Sequence, residues 1–202
     1  MSVPDDGRAT ARVWAFELCL LAPSLAAGVG LARLTDAPGA ARVVAPVVVA
    51  VVLGQLAAAA GRRLGALASV VLGTIVVALV TIWWFEPSTV VWGLPTGRTV
   101  HAVGHALSEA VTVTRHAPTP VAAVSSVVMC VSAGAGFASV LGRALLPWPR
   151  HPARRRALVW ALSPGAGLFA YASLLSSGID RVQAAGAYIG AVALVVLVAD
   201  RL

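Results

Sequence analysis

Apolar residues fall into six blocks of membrane-spanning length, separated by short segments rich in Arg, Pro and Gly. The first block runs from Trp14 to Leu34, with Pro23 inside it and one acid, Glu17, near its start. The second runs from Val43 to Ala60 and is closed by Gly61-Arg62-Arg63. The third, Leu64 to Phe85, carries no charge and ends in Trp83-Trp84-Phe85, an aromatic belt. The fourth extends from Val121 to Leu146, with Arg143 near its end. The fifth, Ala157 to Leu175, is interrupted at Ser163-Pro164-Gly165, and the sixth, Val182 to Ala199, is closed by Asp200-Arg201. A bilayer core about 30 Å thick is crossed by roughly 20 apolar residues in a helix. None of the blocks alternates with the period of a strand, and lipid satisfies no backbone group left open. The pattern therefore predicts an all-α fold, a polytopic membrane helix bundle of about six transmembrane helices.

The polar stretches divide the chain. Residues 1–13 form a cytoplasmic tail, 14–85 hold helices one to three, 86–119 are an extracytoplasmic loop, and 120–202 hold helices four to six. Inside the loop the pattern turns helical. Val100, Val103, Leu107, Ala110 and Val111 recur at spacings of three and four, an apolar stripe. Thr96 or Thr99 is placed to cap this helix, and Ala117-Pro118-Thr119-Pro120 to stop it. The loop thus predicts one outer-face amphipathic helix along the membrane interface or across the mouth of the bundle.

Composition strengthens this picture. Apolar residues make up 59% of the 202 and charged residues 11%, where a soluble domain is about 25% charged. All fifteen basic residues are Arg, and the net charge is +7. In a soluble chain that charge suggests nucleic acid; here it reads as topology, so no nucleic-acid partner is expected. With the N-terminus inside, Arg8, Arg12, Arg62, Arg63, Arg143, Arg150, Arg154, Arg155, Arg156 and Arg201 are cytoplasmic, against Arg33, Arg42, Arg98, Arg115 and Arg181 outside. This bias predicts a multi-pass protein of the plasma membrane with both termini in the cytoplasm. The densest cluster, Arg150, Arg154, Arg155 and Arg156, is a contact for anionic membrane lipid or a cytoplasmic partner if it is more than a topology signal.

Candidate chemistry is sparse. His101, His105 and Glu109 recur every four residues on the predicted outer helix, and imidazole with carboxylate is a zinc-type ligand set. Such a site takes three or four ligands, and only His116 is near enough to add one. The pattern reads as a solvated polar face with a His105–Glu109 pair, and no metal or cofactor is expected. Cys19 and Cys130 fall inside apolar runs and read as small buried hydrophobes. The chain holds no Gly-x-Ser-x-Gly elbow and no Cys, His and Asp constellation for nucleophilic catalysis, so it is expected not to be an enzyme. Gly186 and Gly190 make a GxxxG pair in the sixth block; Ser132 with Gly136 and Ala161 with Gly165 are similar small pairs suited to helix packing.

The run Trp84-Phe85-Glu86-Pro87-Ser88-Thr89-Val90-Val91-Trp92-Gly93-Leu94-Pro95-Thr96 resembles a linker in the N-terminal membrane region of actinobacterial transglutaminase-like membrane proteins. The helix that follows, the Pro-rich stop, the Arg-rich loop and the last span ending Ala199-Asp200-Arg201 come in that family's order; Gly97 stands where the family usually has Pro. The resemblance implies a non-catalytic membrane domain that anchors and positions an extracytoplasmic transglutaminase- or protease-like domain whose Cys, His and Asp triad has no counterpart here. It implies a MoxR-type ATPase and a von Willebrand-like protein as partners. The alternative is a small membrane transporter or channel component.

Overall fold

A computed structural model describes residues 19–32, 37–116, 124–145, 154–175 and 179–200. Glu17, Arg150 and the tail at 1–13 lie outside the described residues. The described chain is all-helical apart from one short hairpin. Its helices are α1 (Leu21–Ala32), α2 (Ala37–Gly61), α3 (Ala66–Phe85), α4 (Gly97–His116), α5 (Ser125–Leu145), α6 (Arg154–Leu175) and α7 (Ile179–Asp200). Between α3 and α4 come a 3-10 turn (Pro87–Thr89) and two strands, β1 (Val90–Val91) and β2 (Leu94–Pro95).

Among the described residues, three helices are long and apolar enough to cross a bilayer. Arg42–Gly61 within α2 and the whole of α3 each have 20 residues at a mean hydropathy of 2.4, and α5 has 21 at 1.6. At 1.5 Å per residue each is about 30 Å long. Leu21–Gly30, Leu158–Ala170 and Ala185–Val198 are shorter apolar stretches in α1, α6 and α7.

The lower hydropathy of α5 follows from its position. It packs against α1, α2, α3, α4 and α6, and 61% of its span is buried, against 22% for α3. A helix surrounded by helices gains from small residues that let backbones approach, and Ser and Gly cost hydropathy without costing packing. Gly136 is such a position: a Cβ there would lie 2.8 Å from Val77 of α3. At Gly73 of α3 a Cβ would lie 2.7 Å from Val140 of α5. At Gly142 it would run into the backbone carbonyl of Ala161 on α6. Val77, Val140 and Ala58 thus close one core, while Val43, Val47, Val51, Val128 and Ala135 close a second.

The α2–α3 turn is short because Gly65 adopts φ 125°, open only to glycine at low cost. Ser69 then donates to the carbonyl of Ala58 at 2.7 Å and ties the two helices above the turn.

The expected interruption at Ser163-Pro164-Gly165 does not occur; α6 is one helix with Pro164 inside it. Pro164 has no N–H for the carbonyl of Trp160 four residues back. The hydroxyl of Ser163 donates to that carbonyl instead, at 2.7 Å. Tyr188 of α7 reaches the neighbouring Leu162 carbonyl at 3.4 Å and stacks on Phe169 with ring centroids 4.6 Å apart.

Candidate functional site

Two polar features stand out, one at each end of the bundle. The first is built on the segment between α3 and α4. Val91 and Leu94 pair across a two-residue turn formed by Trp92 (φ 54°) and Gly93 (φ 80°). This primed turn suits the twist of a hairpin, but it sets a tryptophan where bulky residues are rare. Trp83 of α3 donates its indole N–H to the Gly93 carbonyl at 3.1 Å and holds the turn in place. Trp92 itself is 98% exposed, with Val91 and Leu94 exposed beside it.

Three threonines fasten the base of the hairpin to α4. The hydroxyls of Thr96 and Thr99 both donate to the carbonyl of Thr89, at 2.8 and 2.9 Å. Thr99 also accepts from the Thr96 N–H at 2.9 Å, while the Thr96 carbonyl takes the first helical bond from Val100. Thr96 is therefore the N-cap, and Thr99 serves the return half of a capping box. Thr89 in turn donates to the Glu86 carbonyl at 2.9 Å.

α4 presents three faces rather than two. Thr99, Ala106 and Ala110 are buried, with Val103 and Val113 half-buried beside them. Ala110 and Val113 pack on Val127, Cys130 and Val131 of α5. The stripe predicted from sequence divides between two faces. Val103 and Ala110 lie on the inward face, but Val100, Leu107 and Val111 are exposed, about 100° around the helix. The inward face mixes small Ala106 and Ala110 with Val103 and Val113, while Val100, Leu107 and Val111 stay outside it.

His101, His105 and Glu109 are exposed on the remaining face. Among the described residues, His105 and Glu109 share no hydrogen bond or ion pair, so the expected pair does not form. Among the described residues, no three His, Cys, Asp or Glu side chains come together as a metal ligand set. His105 and Glu109 instead border an open cleft of about 280 Å³, with Phe85 and Glu86 from the end of α3 and Ser126 and Met129 from the first turns of α5.

The second feature lies inside the bundle near the opposite end. Ser24 of α1, Gln55 of α2, and Ser139 and Arg143 of α5 are all buried and line one cavity of about 10 Å³. That volume holds about one water. Gln55 donates to the Leu20 carbonyl at 3.2 Å, and Ser139 to the Gly136 carbonyl at 2.8 Å. Sequence reasoning singled out Arg143 but missed Gln55, an amide within an otherwise apolar span that was itself a signal.

The remaining predicted residues are spread out. Arg154, Arg155 and Arg156 form the first turn of α6. Gly186 and Gly190 are exposed on α7, and a Cβ at either would meet nothing within 4 Å. Cys19 and Cys130 are free and half-buried. Comparison of the chain with family models, curated proteins and solved structures finds no match.

Proposed function

We propose that this chain is a non-catalytic integral membrane domain that anchors and positions an extracytoplasmic protein domain. The observation that carries the reading is the hairpin. Its tip exposes Val91, Trp92 and Leu94, yet its turn is held by Trp83 and its base by side chain–backbone hydrogen bonds from Thr89, Thr96 and Thr99. A loop that only joins two helices has no use for a rigid apolar tip; a platform for another domain does.

In this reading all six apolar helices cross the plasma membrane, the shorter ones completed by flanking residues, with α4 at the outer face and both termini in the cytoplasm. The arginine distribution supports that orientation. The Val100, Leu107 and Val111 face of α4 meets lipid at the interface. The resemblance to transglutaminase-like membrane proteins names a candidate for the positioned domain, with a MoxR-type ATPase and a von Willebrand-like protein as further partners. The alternative reading is a small membrane transporter or channel component.

A photo-reactive residue in place of Trp92 tests the proposal in native membranes. The expected product is a crosslink to an extracytoplasmic domain. The absence of any protein adduct, together with solute flux through proteoliposomes of the purified chain, would replace the anchor with a transporter.

A further inference from the structure

The start of α6 joins a charged end to an apolar flank. Arg154, Arg155 and Arg156 fill its first turn. Arginine is disfavoured there, where the peptide dipoles leave the helix end positive, so helix capping does not account for the three. One turn further in, the helix divides. Leu158 and Ala161 are buried in a cluster with Leu20 and Val195, while Val159 is 70% exposed and Trp160 68%. A helical spacing of four sets Arg155 one turn before Val159 and Arg156 one turn before Trp160. Along this outward flank, cationic positions give way within about 5 Å to a branched apolar residue and a tryptophan. That order matches a phospholipid read from its headgroup to its upper acyl chain, with tryptophan at the boundary.

Charge singles out the same end. Between Glu109 and Asp180 the sequence holds six arginines and no acid. In the topology proposed above, the inner face carries ten arginines against Asp5, Asp6, Glu17 and Asp200. The outer face carries five against Asp36, Glu86, Glu109 and Asp180. Nearly all of the net charge of +7 therefore gathers at the inner face, and the three successive arginines of α6 concentrate it most. Anionic headgroups are the countercharge at that level. An acidic soluble protein offers the same charge, but it does not reach the apolar flank one turn deeper.

We propose that the first two turns of α6 bind an anionic phospholipid of the inner leaflet, its phosphate level with Arg154, Arg155 and Arg156 and its upper acyl chain along Val159 and Trp160. The site rests on the reading that α6 crosses the membrane.

The test uses the full chain with Cys19→Ala, Cys130→Ala and Val159→Cys, dansyl-labelled at position 159 and reconstituted in phosphatidylcholine vesicles. Nitroxide-bearing phosphatidylglycerol or nitroxide-bearing phosphatidylcholine is titrated in as quencher. Half-quenching is expected at a mole fraction about fivefold lower for phosphatidylglycerol, the scale of one arginine at an anionic headgroup. Arg154→Gln, Arg155→Gln and Arg156→Gln together should abolish that preference and leave the thermal melt in phosphatidylcholine unchanged. The same three positions changed to Lys should retain it. Millimolar glycerol phosphate should leave the preference intact, because it lacks the acyl chain. Equal quenching by the two lipids would overturn the lipid site and leave the arginines to an acidic protein. A preference that survives the triple Gln variant would overturn it too, as would one erased by glycerol phosphate, the mark of a soluble phosphate ligand. Quenching by neither lipid would put position 159 outside the bilayer and overturn the span of α6 along with the site.

Discussion

The hydroxyl of Thr99 donates to the carbonyl of Thr89, ten residues earlier, at 2.9 Å. Thr99 is 1% exposed, so the bond is shielded from water. The same oxygen accepts from the Thr96 N–H. One side chain therefore closes the loop, caps α4 and fixes where the hairpin stands above α3.

Thr99→Val keeps the shape and removes both bonds. We expect a loss of about 1 kcal/mol at the start of α4, since the part-buried Thr89 carbonyl and Thr96 N–H are each left with one partner fewer. Hydrogen exchange should rise at residues 96–100 while amides in α2 and α5 keep their protection. Thr99→Ser should behave as the parent. Faster exchange throughout the bundle would mean that the clasp supports the whole fold and not the platform alone.

The glycines divide by their surroundings. Gly142→Ala drives a methyl group into the Ala161 backbone, which cannot rotate away, and should cost about 1–3 kcal/mol by overpacking. Gly186→Ala meets open space and should be neutral or stabilise by up to about 1 kcal/mol through helix propensity. Thermal melts of the purified variants separate the two. Equal destabilisation would mean that α7 uses its GxxxG face against a surface of its own.

Cysteines introduced along α4 report its three faces. A polar thiol reagent should label positions 101 and 105 fast and positions 106 and 110 slowly, in detergent and in membranes alike. Position 107, 53% exposed in the bare chain, should label in detergent and lose that labelling in a bilayer, because lipid covers it. Fast labelling of 107 in membranes would lift α4 off the interface.

Much of this architecture is written in simple periodicities. The long apolar blocks between arginines and glycines mark α2, α3 and α5 within a few residues of their ends, because lipid and buried backbone leave helix as the form for such runs. Thr96 and Thr99 were legible as a cap. The face of α4 was not: a stripe drawn by hydrophobicity assumes that the largest apolar residues point inward. Ala106 and Ala110 point inward instead, and Leu107 does not. In the same way a proline reads as a break until its neighbour Ser163 is seen to satisfy the Trp160 carbonyl. The cleft was hidden because its lining comes from the end of α3, the flank of α4 and the first turns of α5, stretches far apart in sequence. Their convergence is a property of packing, which no local spacing encodes.

A six-span anchor with its hairpin outside the membrane requires that the loops alternate in side. Paired reporters, one active in the cytoplasm and one outside it, fused after Asp36, Arg62, His105, Pro152, Asp180 and Leu202 measure it directly. The expected signals are outside, inside, outside, inside, outside, inside, in that order. An outside signal at Pro152, or a cytoplasmic one at His105, would contradict it.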